Sequence, residues 1–403
     1  MDTRSTSSPA IITRTVWLLS LVSLFNDIGS EMLIPVMPVF LRHIGFTVIF
    51  IGILEGIAEA VAGLSKSYFG HESDRAGSRL PFVQLGYALS AISKPLLALY
   101  IYPLWIFFVR TLDRLGKGIR TGARDALLSE EATPQTRGRV FGFHRSLDTI
   151  GAVLGPALAL LYLYYHPAAY QQLFLITFIP GLLVIALTFF IKEKTKPVTP
   201  SRAGGGRRPL LAFVNYWKTS PATYRKLLYG LLLFALFNSA DAFLLLKMKD
   251  SGMTDTAVIG VYIFYNICFA VMAYPMGALA DKIGIKKIYI TGLLLFAIVY
   301  TGFAFSQNLV IYFILFFLYG CYQAATDGIA KAWISNLIPR QELATAIGTY
   351  AGFQSIAALL ASSICGFLWF RLGPAFAFCI TAFFALVAAL YLYFSQPKPA
   401  EIP

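Results

Sequence analysis

Charged side chains are scarce in this sequence. Only 13% of its 403 residues are Asp, Glu, Lys or Arg, whereas 57% are hydrophobic. A soluble domain carries about 25% charged residues, so a chain of this composition cannot cover its surface with groups that water solvates. The shortage of charge excludes an ordinary soluble protein and predicts an integral membrane protein.

Residues that build redox, metal and nucleotide sites are also few. The four cysteines and four histidines are scattered, with no CxxC pair and no metal-ligand spacing. There is no GxxxxGK[ST] loop, so ATP is not expected to drive the protein, and no nucleophile stands near a base in the sequence. We therefore expect no cofactor, no metal site and no enzymatic activity.

Acidic residues are fewer than basic ones, with 20 Asp and Glu against 33 Lys and Arg. In a soluble protein this excess of positive charge would suggest a nucleic-acid partner. Here the cations lie mostly between apolar runs, which is the pattern that sets membrane topology. We therefore expect the lipid bilayer, and no nucleic acid, as a partner.

Twelve stretches approach the length of about 20 mostly apolar residues that a membrane helix needs. The longest polar stretch, 192–224, contains Gly, Pro and many cations and is predicted to be a linker. It divides an all-α chain into two six-helix bundles, 1–191 and 225–403. Numbered 1 to 12, the predicted spans are 15–41, 47–69, 81–99, 102–125, 138–164, 169–191, 225–247, 255–280, 286–305, 309–336, 342–370 and 374–395.

The distribution of Lys and Arg predicts the orientation of these spans. Cations crowd the linker and the loops after spans 2 and 8, whereas the loops near Tyr100 and Ser306 have none. We therefore expect the cation-rich loops and both termini to be cytoplasmic. The predicted location is the cell membrane, which in a bacterium is the inner membrane.

Span 4 carries a stripe of charge. Its charged positions recur every three or four residues and would share one face of a helix. Lipid does not solvate such a face, since each charge at mid-bilayer costs roughly 2.5–3.5 kcal/mol. A soluble amphipathic helix is the alternative, but the apolar spans on both sides argue against it. The stripe is predicted to face a water-filled cavity and consists of Arg110, Asp113, Arg114, Lys117, Arg120 and Arg124.

The two halves repeat each other. Leu24-Phe25-Asn26-Asp27 in span 1 recurs as Leu236-Phe237-Asn238, with Asp241 three residues further on, in span 7. The loop after span 2 also recurs after span 8, at nearly the same offset. Two matched signatures in the same order indicate duplication. Parallel repeats imply a pseudo-twofold axis along the membrane normal and a substrate site between the halves.

The loop after span 2 resembles the signature loop of the major facilitator superfamily, and the resemblance covers nearly the whole chain. In that family the loop gates the conformational cycle and does not bind substrate. From the residues themselves, Asp74 can accept bonds from a helix N-terminus and pair with a cation, Gly77 permits a tight turn, and Arg75 and Arg79 would anchor to the cytoplasmic face. The alternative is a basic turn that only sets topology. The predicted gating residues are Gly70, Asp74, Arg75, Gly77 and Arg79, with the copy Gly277, Asp281, Lys282 and Gly284.

Span 5 contains a glycine pattern similar to the antiporter signature of the exporters in that family. The pattern consists of Gly142, Gly151 and Gly155-Pro156. Small residues permit close helix packing, and proline bends a helix. The family pattern continues with two glycines, whereas Ala157 to Leu160 follow here. The Gly-Lys-Gly-Ile-Arg continuation of span 4 resembles a prokaryotic branch of the superfamily.

Span 1 contains two carboxylates one turn apart, Asp27 and Glu31. Burial raises the pKa of a carboxyl group and a nearby arginine lowers it again, so such a group can bind and release a proton. We predict Asp27 as the proton carrier, followed by Glu31, with Glu55 and Glu59 as a third choice. The alternative is that one of them only pairs with the cations of span 4.

These residues together predict a secondary transporter that works by alternating access. Proton-coupled export of a small organic solute, in the manner of a drug/proton antiporter, is the preferred mode. A uniporter, a symporter of an organic anion and an ion channel are the alternatives. We expect a monomer with a small molecule and protons as partners. The predicted substrate-binding residues are Asn26, Arg110, Arg114, Lys117, Asn238, Asp241, Tyr322, Gln323 and Asp327.

Overall fold

The computed structural model describes residues 11–33, 36–37, 40–41, 48–100, 102–167, 169–193 and 212–395. The N-terminal tail, most of the linker and the side chains of Glu55 and Glu59 lie outside the described residues. The helices are α1 (Arg14–Glu31), α2 (Val48–Ala76), α3 (Leu80–Leu99), α4 (Pro103–Glu130), α5 (Arg137–Tyr165), α6 (Tyr170–Ile176), α7 (Phe178–Phe189), α8 (Ala212–Thr219), α9 (Ala222–Ala235), α10 (Ala242–Asp250), α11 (Asp255–Ile283), α12 (Ile285–Phe305), α13 (Leu309–Leu337), a 3₁₀ turn (Arg340–Glu342), α14 (Leu343–Leu372) and α15 (Pro374–Phe394).

Most predicted spans correspond to helices whose ends agree within a few residues. Eight helical segments of the described part are long and apolar enough to cross a membrane. Helices α2 and α4 are long but interrupted by charges, as expected for helices that line a polar cavity. Three helices differ clearly from prediction. Helix α1 ends at Glu31 instead of residue 41, although Met37, Phe40 and Leu41 are again helical, α2 extends seven residues beyond 69, to Ala76, and α4 extends five residues beyond 125, to Glu130.

Two predicted spans are broken. Span 6 consists of α6 and α7, separated at Thr177, whose hydroxyl donates to the carbonyl of Phe174. Span 7 consists of α9 and α10, and the residues between them, 236–241, leave the helix. The prediction that Asn238 and Asp241 lie on a continuous helix is therefore wrong. Both residues lie at the break, where backbone groups released from the helix require a polar environment.

The helices form two bundles that meet along two pairs of helices. In the first bundle α1 packs on α5 and α7, and α4 packs on α2 and α3. In the second bundle α13 packs on α11 and α12, and α15 packs on α12. Between the bundles α5 packs on α11, and α2 packs on α14. These two pairs form the walls of a space between the halves.

Glycines bring the helices of the two halves into backbone contact. A Cβ atom at Gly277 of α11 would overlap the backbone of Gly138 of α5, and one at Gly70 of α2 would overlap the carbonyl of Ala344 of α14. Gly142 likewise contacts the backbone of Ala273 in the opposite half. Gly70 and Gly277 of the two loop motifs and Gly142 of the α5 pattern therefore lie in the interface between the halves.

The remaining glycines of the α5 pattern pack within their own half. Gly151 and Gly155 contact the backbone of α1 at Leu24 and Ile28. Pro156 lies inside α5, which continues to Tyr165. The glycines of the pattern thus lie in two interfaces. Gly151 and Gly155 pack α5 on α1, and Gly142 packs α5 on α11 of the other half.

The end of the linker packs on the second half. Tyr216 of α8 donates from its hydroxyl to Glu342 Oε2, 3.1 Å away. Burial and the neighbouring carboxylate raise the pKa of Tyr216, so the phenol remains protonated and acts as a donor. The division of the chain at 192–224 stays a prediction, although α8 and the start of α9 at Ala222 show that its last part is helical.

Candidate functional site

A polar cavity of about 400 Å³ lies between the two halves. Its walls come from both bundles and carry eight cations against six carboxylates, a formal excess of two positive charges. The cations are Lys66, Arg110, Arg114, Lys117, Arg120, Arg124, Arg145 and Lys331, and the carboxylates are Asp27, Glu31, Asp113, Asp148, Asp241 and Asp327. We call this space the central cavity.

The structure places all six residues of the α4 stripe in the wall of the central cavity. Their three- and four-residue spacing orients them to one side of the helix. Arg120 donates to Ser90 Oγ at 2.7 Å and lies over the ring of Tyr87. The stripe therefore combines residues that face the open space with at least one that is held against α3.

The two carboxylates of α1 line the central cavity beside a third carboxylate from α5. Asp27 accepts a hydrogen bond from Asn26 Nδ2 at 2.9 Å, and the carboxyl group of Asp148 lies next to it. Asp148 also accepts from Ser23 Oγ at 2.5 Å. Two carboxylates so close repel each other unless one carries a proton. The position of Asp27 therefore suits a group that binds and releases a proton.

Ion pairs cross the central cavity from one half to the other. Arg145 of α5 pairs with Asp148 in its own half and with Asp327 of α13, whose Oδ2 lies 2.6 Å from its Nε atom. Lys331 of α13 pairs at 3.0 Å with Asp125, which also pairs with Arg124 at 2.9 Å. The ion pairs of Asp148 and Asp125 thus belong to a network that joins the halves.

Sequence reasoning missed a buried lysine. Lys94 of α3 is 2% exposed, and its Nζ atom has no hydrogen-bond partner within the described residues. It interacts electrostatically with Asp113 of the α4 stripe. A lone lysine inside an apolar span was the available signal, because an ionisable residue at membrane depth is costly and suggests function by default.

A carboxylate at the end of α2 closes one end of the space between the halves. Asp74 accepts hydrogen bonds from the backbone N–H and hydroxyl of Thr345, both at 2.7 Å, at the N-terminus of α14 in the other half. It also pairs at 2.8 Å with Arg79. We call this group the Asp74 cap, because its carboxylate satisfies the free N–H groups that begin a helix.

The two arginines of the loop after α2 differ in their positions. Arg75 is exposed, and its Nη1 atom lies 3.9 Å from Oε1 of Glu72. Arg79 is 5% exposed and contacts Asp74, Glu130 and the carbonyl of Arg340, so its side chain is buried between the halves. That both arginines anchor to the cytoplasmic face stays a prediction. Gly77 has a positive φ of 66° and makes the predicted tight turn.

The second copy of the loop forms a matching group. Asp281 at the end of α11 accepts from the backbone N–H groups of Gly138 and Arg139, at 2.8 and 2.9 Å, where α5 begins. We call this group the Asp281 cap. Lys282 is exposed, and Gly284 has a φ of 105° at the turn into α12. Each half thus caps a helix of the other half.

The two caps should differ in strength. Asp281 pairs with Arg139, but at 3.4 Å and with an arginine side chain that is 25% exposed, whereas the 2.8 Å pair of Asp74 with Arg79 is buried on both sides. We therefore expect Asp281→Asn to destabilise the closed conformer by only about 0.5–2 kcal/mol, which is typical of a lost cap. Transport should fall but persist. Initial transport rates in proteoliposomes, compared with those of Lys282→Gln, would measure the effect. We expect the corresponding change in the other cap, Asp74→Asn, to abolish transport. If Asp281→Asn also abolished transport, the Asp281 cap would not be the weaker of the two.

The predicted residues of the second half lie in two places. Asp241, Gln323 and Asp327 line the central cavity, and Asp241 accepts from the hydroxyl of Tyr319 at 2.6 Å. Asn238 and Tyr322 instead line a smaller adjoining cavity of about 190 Å³, whose wall consists of residues of the second half and Arg145 of α5. Asn238 belongs to the break after α9, and its role and that of Tyr322 in substrate binding stay predictions.

The contacts between halves define the conformation. Among the described residues, the hydrogen bonds and ion pairs that join the two bundles lie between the middle of the helices and the end that carries Asp74. The structure is therefore a conformer in which this end is closed. A central polar cavity between two repeated bundles, closed at one end by reversible contacts, defines an alternating-access transporter.

Comparisons with known proteins identify the family. The model of the Major Facilitator Superfamily matches residues 19–267 and 242–403. A major-facilitator-type transporter of Methanocaldococcus jannaschii is 33% identical over 389 residues, which cover 95% of each chain. The multi-drug resistance efflux pump PmrA of Streptococcus pneumoniae is 24% identical over 322 residues, covering 77% of this chain and 78% of the pump.

A solved structure shares the fold. The human organic anion transporter MFSD10 superposes with a TM-score of 0.80 at 16% identity, covering 96% of this chain and 100% of that one. The chain belongs to the major facilitator superfamily. It is a membrane-embedded transporter with the twelve-helix fold of two six-helix bundles.

Proposed function

We propose that the protein transports a small organic solute that carries a negative group, by alternating access coupled to protons at Asp27 and Glu31. The observation that carries the proposal is the charge of the central cavity, with eight cations against six carboxylates. Protonation of any of these carboxylates increases the positive excess. Buried charge without compensation costs several kcal/mol, and a bound anion would remove that cost.

The chemistry of the cavity wall suits carboxylate or phosphate groups. Six of the eight cations are arginines or lysines of α4 and α5, and the planar guanidinium group binds both anions in a bidentate manner. We propose Arg114 and Lys117, near the middle of the α4 stripe, as the principal contacts. Arg110, Asn26 and Gln323 would complete the site.

Proton-coupled export is the mode that we propose. The support is the similarity to PmrA, which is described as an efflux pump, and the glycine pattern of α5. The name of MFSD10, an organic anion transporter, agrees with the charge argument. Export of a lipophilic cation is the second candidate, because Asp241 of the second half offers a carboxylate in an aromatic environment that includes Tyr319 and Tyr262.

For topology we propose that the Asp74 end and both termini are cytoplasmic, in the cell membrane. The support is the excess of lysine and arginine in the loops at that end and in the linker. In this orientation the closed conformer faces outwards. We propose that the monomer is the working unit, because the central cavity lies within one chain.

The anion proposal predicts the effect of Arg114→Ala. Removing a charge-assisted bond to an anion costs about 1.5–3 kcal/mol, so affinity for transported anions should fall about tenfold to a hundredfold. Competition binding at fixed pH, with organic anions and cationic dyes against purified protein, would measure it. Lys287→Ala, which removes an exposed cation outside the cavity, is the matched control. If cationic dyes compete, organic anions do not, and Arg114→Ala leaves affinity unchanged, the second candidate takes the place of the first.

A further inference from the structure

We propose that the smaller cavity is a second substrate subsite, which takes an uncharged group bearing hydroxyls or amides. We call it the tyrosine subsite. The inference rests on the proposed function, since it assumes that the charged group of the same substrate lies in the central cavity. The substrate class is then an organic anion with a hydroxylated or amide-containing body.

Three buried tyrosines from three helices line this cavity. They are Tyr289 of α12, Tyr322 of α13 and Tyr350 of α14, and none is more than 5% exposed. Their helices belong to the second half, and Arg145 of α5 adds a residue of the first half to the wall. Its volume of about 190 Å³ leaves room for a small polar group in place of several water molecules.

Four polar groups of residues that line the tyrosine subsite make no hydrogen bond among the described residues. Among the described residues, no hydrogen bond involves the hydroxyls of Tyr289, Tyr322 or Tyr350, and the amide oxygen of Asn238 is buried without a partner. Buried tyrosine hydroxyls normally have a partner. Other buried tyrosines of the same half do have one, namely Tyr224, Tyr300, Tyr312 and Tyr319.

Such a concentration of unpartnered groups indicates a ligand. A buried polar group without a hydrogen bond is destabilising. The amide oxygen of Asn238 is such a group, and three tyrosines without a hydroxyl hydrogen bond among the described residues line the same space. Tyrosine hydroxyls both donate and accept, and an amide oxygen accepts. Together they match hydroxyl groups, which also donate and accept, better than they match an apolar group.

The charges at the entrance explain why the group should be neutral. Arg145 and Asp327 line both cavities and pair with each other at 2.6 Å. The other residues of the tyrosine subsite carry no charge. A charged group inside it would therefore be desolvated without a counter-ion. A substrate that extends past this pair places its anionic end among the cations of α4 and its neutral end among the tyrosines.

Matched pairs of anions test the tyrosine subsite. Each pair shares the anionic group and differs in its hydroxyls: glucuronate with cyclohexanecarboxylate, gluconate with hexanoate, and glucose 6-phosphate with hexyl phosphate. Their dissociation constants are measured by calorimetry on the purified full chain. The variants are Tyr289→Phe, Tyr322→Phe, Tyr350→Phe and the triple change, which delete hydroxyls and keep the rings. Tyr300→Phe is the control, because its hydroxyl bonds to Ser239 outside the subsite.

We expect the unaltered protein to bind the hydroxylated member of at least one pair about tenfold more tightly, as a few hydrogen bonds would provide. The triple variant should bind both members alike, at the affinity of the unhydroxylated one, and Tyr300→Phe should keep the preference. The tyrosine subsite proposal is wrong if the unaltered protein binds both members of every pair equally. It is also wrong if the preference survives the triple change. Either result leaves the proposed function standing. If the unaltered protein binds no anion of the panel, the proposed function fails and the tyrosine subsite fails with it.

Discussion

Asp74→Asn is expected to abolish transport while leaving expression and ligand binding largely intact. The change removes the charge that Arg79 pairs with at 2.8 Å and weakens the cap on α14. Breaking a buried ion pair by removing one partner costs about 3–5 kcal/mol. A shift of that size would depopulate the conformer closed at the Asp74 end by a factor of more than about a hundred.

Two measurements would separate this effect from misfolding. Spin labels at Gln135 and Lys287, exposed positions on the two halves near the Asp74 end, would report a longer distance in Asp74→Asn if that end opens. Glu72→Gln is the matched control, because Glu72 lies on the same helix end and pairs with its neighbours His71 and Arg75 at 3.6 and 3.9 Å, within its own half. Loss of binding together with transport would count against a role confined to the conformational cycle.

Asp27→Asn is expected to remove proton-driven transport and to preserve substrate exchange. Asparagine keeps the shape of the side chain and its bond to Asn26, but it cannot bind and release a proton. In proteoliposomes, a pH gradient should no longer accelerate transport, whereas counterflow of labelled substrate should continue. The expected loss of gradient-driven accumulation is complete.

The control for this experiment is Asp250→Asn, which neutralises an exposed carboxylate at the end of α10. It should keep full coupling. Glu31→Gln tests the second candidate for the proton site. If transport stays coupled to the pH gradient in both Asp27→Asn and Glu31→Gln, the proton-carrier hypothesis for α1 is wrong.

Much of the fold could be predicted because bilayer thickness imposes length and composition on each span. The ends of α13 and α15 differ from prediction by one residue. The breaks at Thr177 and at 236–241 could not be predicted in this way, since hydropathy measures transfer to lipid and not the continuity of backbone hydrogen bonds. The segment around Ser239 contains neither proline nor glycine to indicate a break.

Part of the candidate site could also be predicted, because the regular geometry of a helix fixes which side chains share a face. Helical spacing alone placed the α4 stripe on one face, and the structure brings that face to the central cavity. Burial of Arg79 depends on Glu130, a residue at the far end of α4, and such long-range pairing leaves no local pattern. The same holds for the tyrosine subsite, whose members come together only when α12, α13 and α14 pack.

The reciprocal caps at Asp74 and Asp281 make the closed end equivalent to the interface of a twofold symmetric dimer. Each half contributes one carboxylate that caps a helix of the other half, as in an isologous contact between identical subunits. A free dimer with an interface weak enough to part in every cycle would dissociate. Here the halves are joined by the linker, which makes their association intramolecular and keeps the two surfaces at a high effective concentration. Covalent fusion therefore permits an interface that opens readily and still finds its partner each time.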